Sequence, residues 1–81
     1  MRVDKFLNAV CITKRRAVAE DMCRSSVVSV NGAVAEASKV LKIGDIIDIK
    51  FTERTDSYKV LAFPSTKNIP KNAQSEFVQK L

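Results

Sequence analysis

Val27-Val28-Ser29-Val30-Asn31-Gly32-Ala33-Val34-Ala35 is the stretch that decides how this chain folds. Val27, Val28, Val30 and Val34 are β-branched and suit a pleated strand. Asn31-Gly32 stands between them. A two-residue hairpin turn needs positive φ at both central positions, and Asn-Gly supplies it at low cost. The segment therefore predicts a hairpin. Before it the spacing is helical. Val3 to Ile12 puts Phe6, Leu7, Val10 and Cys11 on one stripe. Asp4 suits the start of that helix, as a cap or as a first-turn acid favoured by the helix dipole. Thr13 reads as the cap of a second helix, Lys14 to about Arg24, with Ala17, Val18, Met22 and Cys23 apolar and Ser25-Ser26 ending it. The two helices would be joined by about one residue, as a compact αα unit.

After the hairpin comes a polar stretch, Glu36 to Lys42, interrupted by Val40-Leu41. Ile43-Gly44-Asp45 reads as a turn. Ile46 to Phe51 alternates, with Ile47, Ile49 and Phe51 on one face and Asp48 and Lys50 on the other. Thr52 to Asp56 is a polar turn, and Tyr58 to Phe63 a returning strand. Beyond Pro64 the chain turns polar again. Lys71 to Leu81, carrying Phe77 and Val78, reads as a short helix or a tail. The expected fold class is α+β. It is a small single domain, an N-terminal helix-helix unit packed on a short antiparallel or mixed β-sheet, with a C-terminal tail or short helix. Residues 1–63 would form the domain and 64–81 the tail.

Composition narrows the function. A chain of 81 residues supports one domain with a small core. With 14 basic against 9 acidic residues the net charge is +5, which attracts polyanions: nucleic acid or an acidic membrane. No apolar run approaches the ~20 residues of a membrane span, so no membrane partner is expected. The chain has no histidine, and its two cysteines form no CxxC pair, which disfavours a metal site. There are no paired carboxylates in a pocket pattern, no Gly-rich phosphate loop and no nucleophile elbow. A non-catalytic protein without a cofactor is expected. Charged residues begin at Arg2, so no secretory leader is expected. Cys11 and Cys23 read as free, buried thiols in a cytoplasmic, reducing setting.

The most informative cluster is Lys14-Arg15-Arg16, at the start of the second helix. Cations are favoured at helix C-termini, so three at the other end run against the dipole. A helix N-terminus offers free N–H groups to an anion, and added cations suit phosphate; the alternative is a solvated patch that aids solubility. Arg2 and Lys5, one turn apart, can join this face, and Asp4 is placed to orient a nearby arginine. Arg24 ends the helix, where simple dipole pairing also explains it. Glu20 and Asp21 are spaced to hold Arg24 or Lys14. Lys39 and Lys42 extend the basic surface or are merely solvated. Asn31-Gly32 allows close approach of RNA or is simply a turn. The five aromatics mostly read as core, whereas single-strand binders expose stacking rings. The balance favours folded RNA, met through shape and phosphates.

These residues resemble a known family. Arg2-Val3-Asp4-Lys5-Phe6-Leu7, Lys14-Arg15-Arg16-Ala17-Val18-Ala19, Val28-Ser29-Val30-Asn31-Gly32 and Lys39-Val40-Leu41-Lys42-Ile43-Gly44-Asp45 are similar, in order, to the motifs of the S-four RNA-binding domain, the αL-type domain of a small-subunit ribosomal protein. The match runs from Met1 to about Phe63. Among stand-alone carriers the opening motif resembles the bacterial ribosome-associated quality-control family related to heat shock protein fifteen. The resemblance implies a factor on a large ribosomal subunit obstructed by peptidyl-tRNA. It would contact large-subunit ribosomal RNA and tRNA and support an alanine-tailing factor that extends the stalled chain; a monomer is expected. Arg2 and Arg16 are then the first RNA-contacting residues, followed by Lys5, Lys14 and Arg15, with Asp4 as the orienting acid. Two departures stand out: Ser26 where the family usually has Gly, and Val27 where a basic residue is common. Two other readings stay open, an accessory subunit that recruits an RNA-modifying enzyme and a protein-protein module with an incidental basic face. Steep salt dependence marks the RNA readings, and co-purification separates a ribosomal factor from an enzyme's accessory.

Overall fold

A computed structural model describes residues 1–66 and 68–81; Lys67, in the polar stretch after Pro64, lies outside the described residues. Two helices, α1 (Val3–Ala9) and α2 (Arg16–Arg24), precede five strands: β1 (Val28–Val30), β2 (Ala33–Val34), β3 (Ile46–Lys50), β4 (Thr55–Val60) and β5 (Val78–Lys80). A 3-10 helix, Lys71–Glu76, leads into β5. The sheet order is β2-β1-β3-β4-β5, antiparallel at every pairing, so the α+β expectation holds and no parallel pair is present among the described residues.

Both helices are shorter than the apolar spacing suggested: α1 stops at Ala9 because of how it ends, whereas α2 ends at Arg24 as read but starts at Arg16, not Lys14. At the end of α1 the Cys11 amide donates to the Asn8 carbonyl at 3.1 Å and the Ile12 amide to Leu7 at 3.0 Å. Cys11 itself has φ +64°. This is a Schellman motif with a non-glycine residue in its left-handed position. It reverses the chain before Ile12, so Cys11 sits on the turn and not on the helix stripe. The end of α2 repeats the device: Ser26 donates to Cys23 at 3.1 Å, Val27 to Met22 at 3.2 Å, and Ser26 has φ +61°.

The link between the helices is residues 10–15, not a single residue. Thr13 does not cap α2 through a backbone amide. Its Oγ1 donates to the Arg15 carbonyl at 3.2 Å, the same carbonyl that accepts from the Val18 and Ala19 amides. Arg15, in extended conformation, is the cap residue.

The hairpin is as read. Asn31 (φ +53°) and Gly32 (φ +85°) are both left-handed, which the type I′ turn requires. Ile43-Gly44 forms a second turn, with Gly44 at φ +93° and the Asp45 amide donating to Lys42 at 3.1 Å. That is a type II turn, with glycine at the position that needs it.

Val3, Phe6 and Leu7 from α1 with Val10 just beyond it, Ala19 and Cys23 from α2, and Val28, Val30, Ile47, Ile49 and Val60 from the sheet close one core. Each large aliphatic or Phe side chain fully buried there contributes about 1.5–3 kcal/mol. Phe63 meets Phe6 edge-on at 5.9 Å. Phe51, expected inward, lies past the end of β3 and is 42% exposed, with the Arg54 guanidinium 5.0 Å above its ring.

The segment after Pro64 packs against the rest. Ile69 and Val78 are buried, and β5 pairs with β4 through Val60↔Val78 and Tyr58↔Lys80. A short helix over 71–81 is replaced by the 3-10 turn and a strand. Val78 is drawn into the core beside Val60, and edge pairing satisfies the β4 backbone that a helix would leave open.

Candidate nucleic-acid interface

The start of α1 is held by the segment after the hairpin. The Val3 amide donates to the Lys39 carbonyl at 2.8 Å, and the Leu41 amide to Met1 at 2.9 Å, with Arg2 paired to Val40. This bridge brings Lys39 beside Arg2, although they are far apart in sequence.

Asp4 follows in the first turn of α1, and its side chain is 0% exposed. A buried carboxylate needs charge pairing and hydrogen bonds. Asp4 has both. Its Oδ2 accepts from Arg2 Nη2 and from Arg16 Nε, each at 3.2 Å, and its Oδ1 accepts from the Lys5 amide at 2.8 Å. Arg2 and Arg16 keep 47% and 45% of their side chains in water. One hidden acid therefore fixes two half-exposed guanidiniums from different segments, each with donors left over. Glu20, one turn along α2, lies 3.8 Å from Arg16 and steadies it further. Cys23 lies one turn beyond, and burial, with Asp4 and Glu20 nearby, pushes its thiol pKa up. It is a neutral core thiol, and Cys11 is a free, half-buried thiol.

The remaining basic residues divide. Lys5, Lys14 and Arg15 are exposed and make no ion pair among the described residues. Arg24 pairs with Asp21 at 3.0 Å, both well exposed, which fixes little. Arg24 also lines an open groove of about 670 Å³ with Arg2, Glu20, Glu36 and Ser26. Lys42 and Asn31 belong elsewhere. The Asn31 amide group donates to Asp45 Oδ1 at 3.0 Å and accepts from the Ile46 amide at 2.9 Å, while Asp45 Oδ2 accepts from the Lys42 amide at 2.8 Å. These bonds lower the Asp45 pKa, the Lys42 amide most and Asn31 next. Asn31 thus ties the hairpin to the Gly44 turn through its carboxamide.

Lys71, in the C-terminal segment for which the sequence offers no motif, faces the same hollow as Lys14. No local signal marks it, because only the long-range packing of Ile69 brings it there. Among the described residues no three His, Cys, Asp or Glu side chains cluster as a metal would need, and no helix is long and apolar enough to cross a membrane. The site offers fixed and free cations with one orienting acid. That suits binding of phosphates.

No protein-family model matches the chain. A Helicobacter pylori protein named RQC P-site tRNA stabilizing factor is 44% identical over 71 residues, which cover 88% of this chain and 84% of that protein. The chain belongs to the RQC P-site tRNA stabilizing factor family. The fold of the family member described here is shared by two solved proteins. The solution structure of a hypothetical protein aligns with a TM-score of 0.86 at 38% identity, over 100% of this chain and 96% of that one. The trimeric structure of Vibrio cholerae Heat Shock Protein 15 aligns at 0.89 over 100% of this chain and 81% of that one; at 22% identity it speaks for the fold alone. The resemblance read from the four sequence motifs is borne out.

Proposed function

We propose that this chain is a non-catalytic RNA-binding factor of ribosome-associated quality control that stabilises peptidyl-tRNA on an obstructed large ribosomal subunit. The observation that carries this reading is the Arg2–Asp4–Arg16 cluster in a chain whose relatives are named P-site tRNA stabilizing factors. Guanidiniums held by a shared carboxylate present their remaining donors in fixed directions, as bidentate phosphate contact requires. Two such groups suit two backbones at once, ribosomal RNA on one side and tRNA on the other.

Arg2 and Arg16 are the principal contacts, and Asp4 positions them. Lys5, Lys14 and Arg15 add unpaired charge. Lys39 and Arg24 widen the face beside Arg2, while Lys42 and Asn31 extend it only at the hairpin's far junction. Residues 1–63 carry the RNA-binding unit, and residues 64–81 brace it. The chain acts as a monomer in the cytoplasm. By holding the tRNA between elongation steps it supports the alanine-tailing factor. The mechanism is positional: occupancy keeps the tRNA in place while another protein performs the chemistry.

Sedimentation of the tagged protein from cells with stalled translation tests this. Wild type should travel with the large subunit, and the Arg2→Ala, Arg16→Ala double variant should stay at the top of the gradient. Wild type remaining at the top in low salt would refute the ribosomal role.

A further inference from the structure

A hollow of about 450 Å³ lies between the helix-helix link and the C-terminal segment, lined by Asn8, Cys11, Ile12, Thr13, Lys14, Asn68 and Lys71. Its size falls within the range of small-ligand sites. Its chemistry differs from that of the groove beside Arg2. That groove sets Glu20 and Glu36 among its arginines. Among the described residues lining this hollow two are cations and none is an acid. Its walls are also held in place. Cys11 Sγ donates to the Ile69 carbonyl at 3.2 Å, the Ile69 amide to Ala9 at 3.1 Å, and Gln74 Nε2 to the Val10 carbonyl at 2.7 Å. Three hydrogen bonds and the buried Ile69 thus clamp the segment bearing Asn68 and Lys71 onto the end of α1. The opposite wall is the rigid turn that begins at left-handed Cys11.

We propose that this hollow is a nucleotide site. It takes one nucleotide of the RNA, with its phosphate between Lys14 and Lys71, its sugar and base against Cys11 and Ile12, and the Asn8 and Asn68 carboxamides at the base edge. Lys14 directly precedes Arg15 and Arg16, so the nucleotide would continue the track of the arginine face. The inference rests on the reading that the partner is RNA, and it gives the C-terminal segment a share in recognition.

Amide NMR on the full chain tests it with uridine monophosphate as probe, beside uridine and inorganic phosphate. Uridine monophosphate should shift the amides of Cys11 to Lys14, Asn68 and Lys71 more than either comparison compound. Lys71→Ala, at an exposed position, should weaken the response roughly threefold, as loss of one exposed charge contact does, with an unchanged melting temperature. Shifts confined to Arg2 and Arg16, no shifts at all, an equal response to phosphate alone, or wild-type binding by Lys71→Ala would each overturn the nucleotide site. Because the probe is a free nucleotide, these failures leave the ribosome sedimentation result standing, and failure of sedimentation is read separately.

Discussion

Asp4 and Arg16 show why a residue in this site is not simply structural or functional. Arg16 is half exposed, and exposure alone would suggest that replacing it costs little stability. Its Nε, however, satisfies a carboxylate with no access to water. Truncating Arg16 leaves Asp4 with Arg2 and the Lys5 amide only, so some loss of stability accompanies the loss of binding. Lys5 and Arg15 are cleaner probes of charge, since neither is paired among the described residues. Ser26 illustrates the opposite case, a residue whose cost is purely conformational. It occupies the left-handed position that ends α2, where a side chain costs about 1–2 kcal/mol relative to glycine's freedom. The side chain at this position therefore has a stability consequence at the helix end. Ser26→Gly should stabilise the protein by about 0.5–1 kcal/mol, after glycine's greater unfolded-state entropy is set against it. Thermal unfolding should show a rise of a few degrees. An unchanged or lower melting temperature would mean that the Ser26 side chain does something the backbone does not reveal.

Among the elements, the hairpin and the Gly44 turn act as one unit because Asp45 joins them. Its carboxylate accepts from the Lys42 amide and from Asn31, and its pKa is held down by those two bonds. A carboxylate with a lowered folded pKa adds stability above its unfolded value, near 3.9, and loses it as pH falls through the folded value. Wild type should therefore be more stable than Asp45→Asn at neutral pH. The difference should close below about pH 4. Urea unfolding at neutral and acid pH reads this directly, and a gap that persists at acid pH would exclude the carboxylate as its source. The hairpin was legible in the sequence because its signal is local: Asn31-Gly32 needs no partner to demand its turn. The alternation of Ile47 and Ile49 was local in the same way. The end of α1 was not, since Cys11 takes a left-handed φ without being glycine and residue type gave no warning; α2 does end at Ser25-Ser26 as read, although nothing local announced the left-handed φ of Ser26. The strand β5 was invisible for a different reason. Val78 becomes a strand residue only because Val60 offers an open edge across the sheet.

For the whole molecule, the excess positive charge could be read at once, but its arrangement could not. The motifs placed Arg2, Asp4 and Arg16 in the candidate site; that they meet in one network depends on how α1 and α2 cross. The charge surplus attracts RNA from a distance, and its contribution weakens with salt. The Asp4 network gives direction at contact. These two contributions are separable, because Asp4→Asn raises the formal net charge by one from +5 while removing the anchor of both arginines. The decisive measurement is the affinity of Asp4→Asn for large ribosomal subunits bearing peptidyl-tRNA, taken beside its melting temperature and at a temperature where the variant is folded. If oriented arginines carry recognition, the more positive variant binds at least several-fold more weakly than wild type. If it binds as tightly or more tightly, charge alone suffices and the positioning role of Asp4 is wrong.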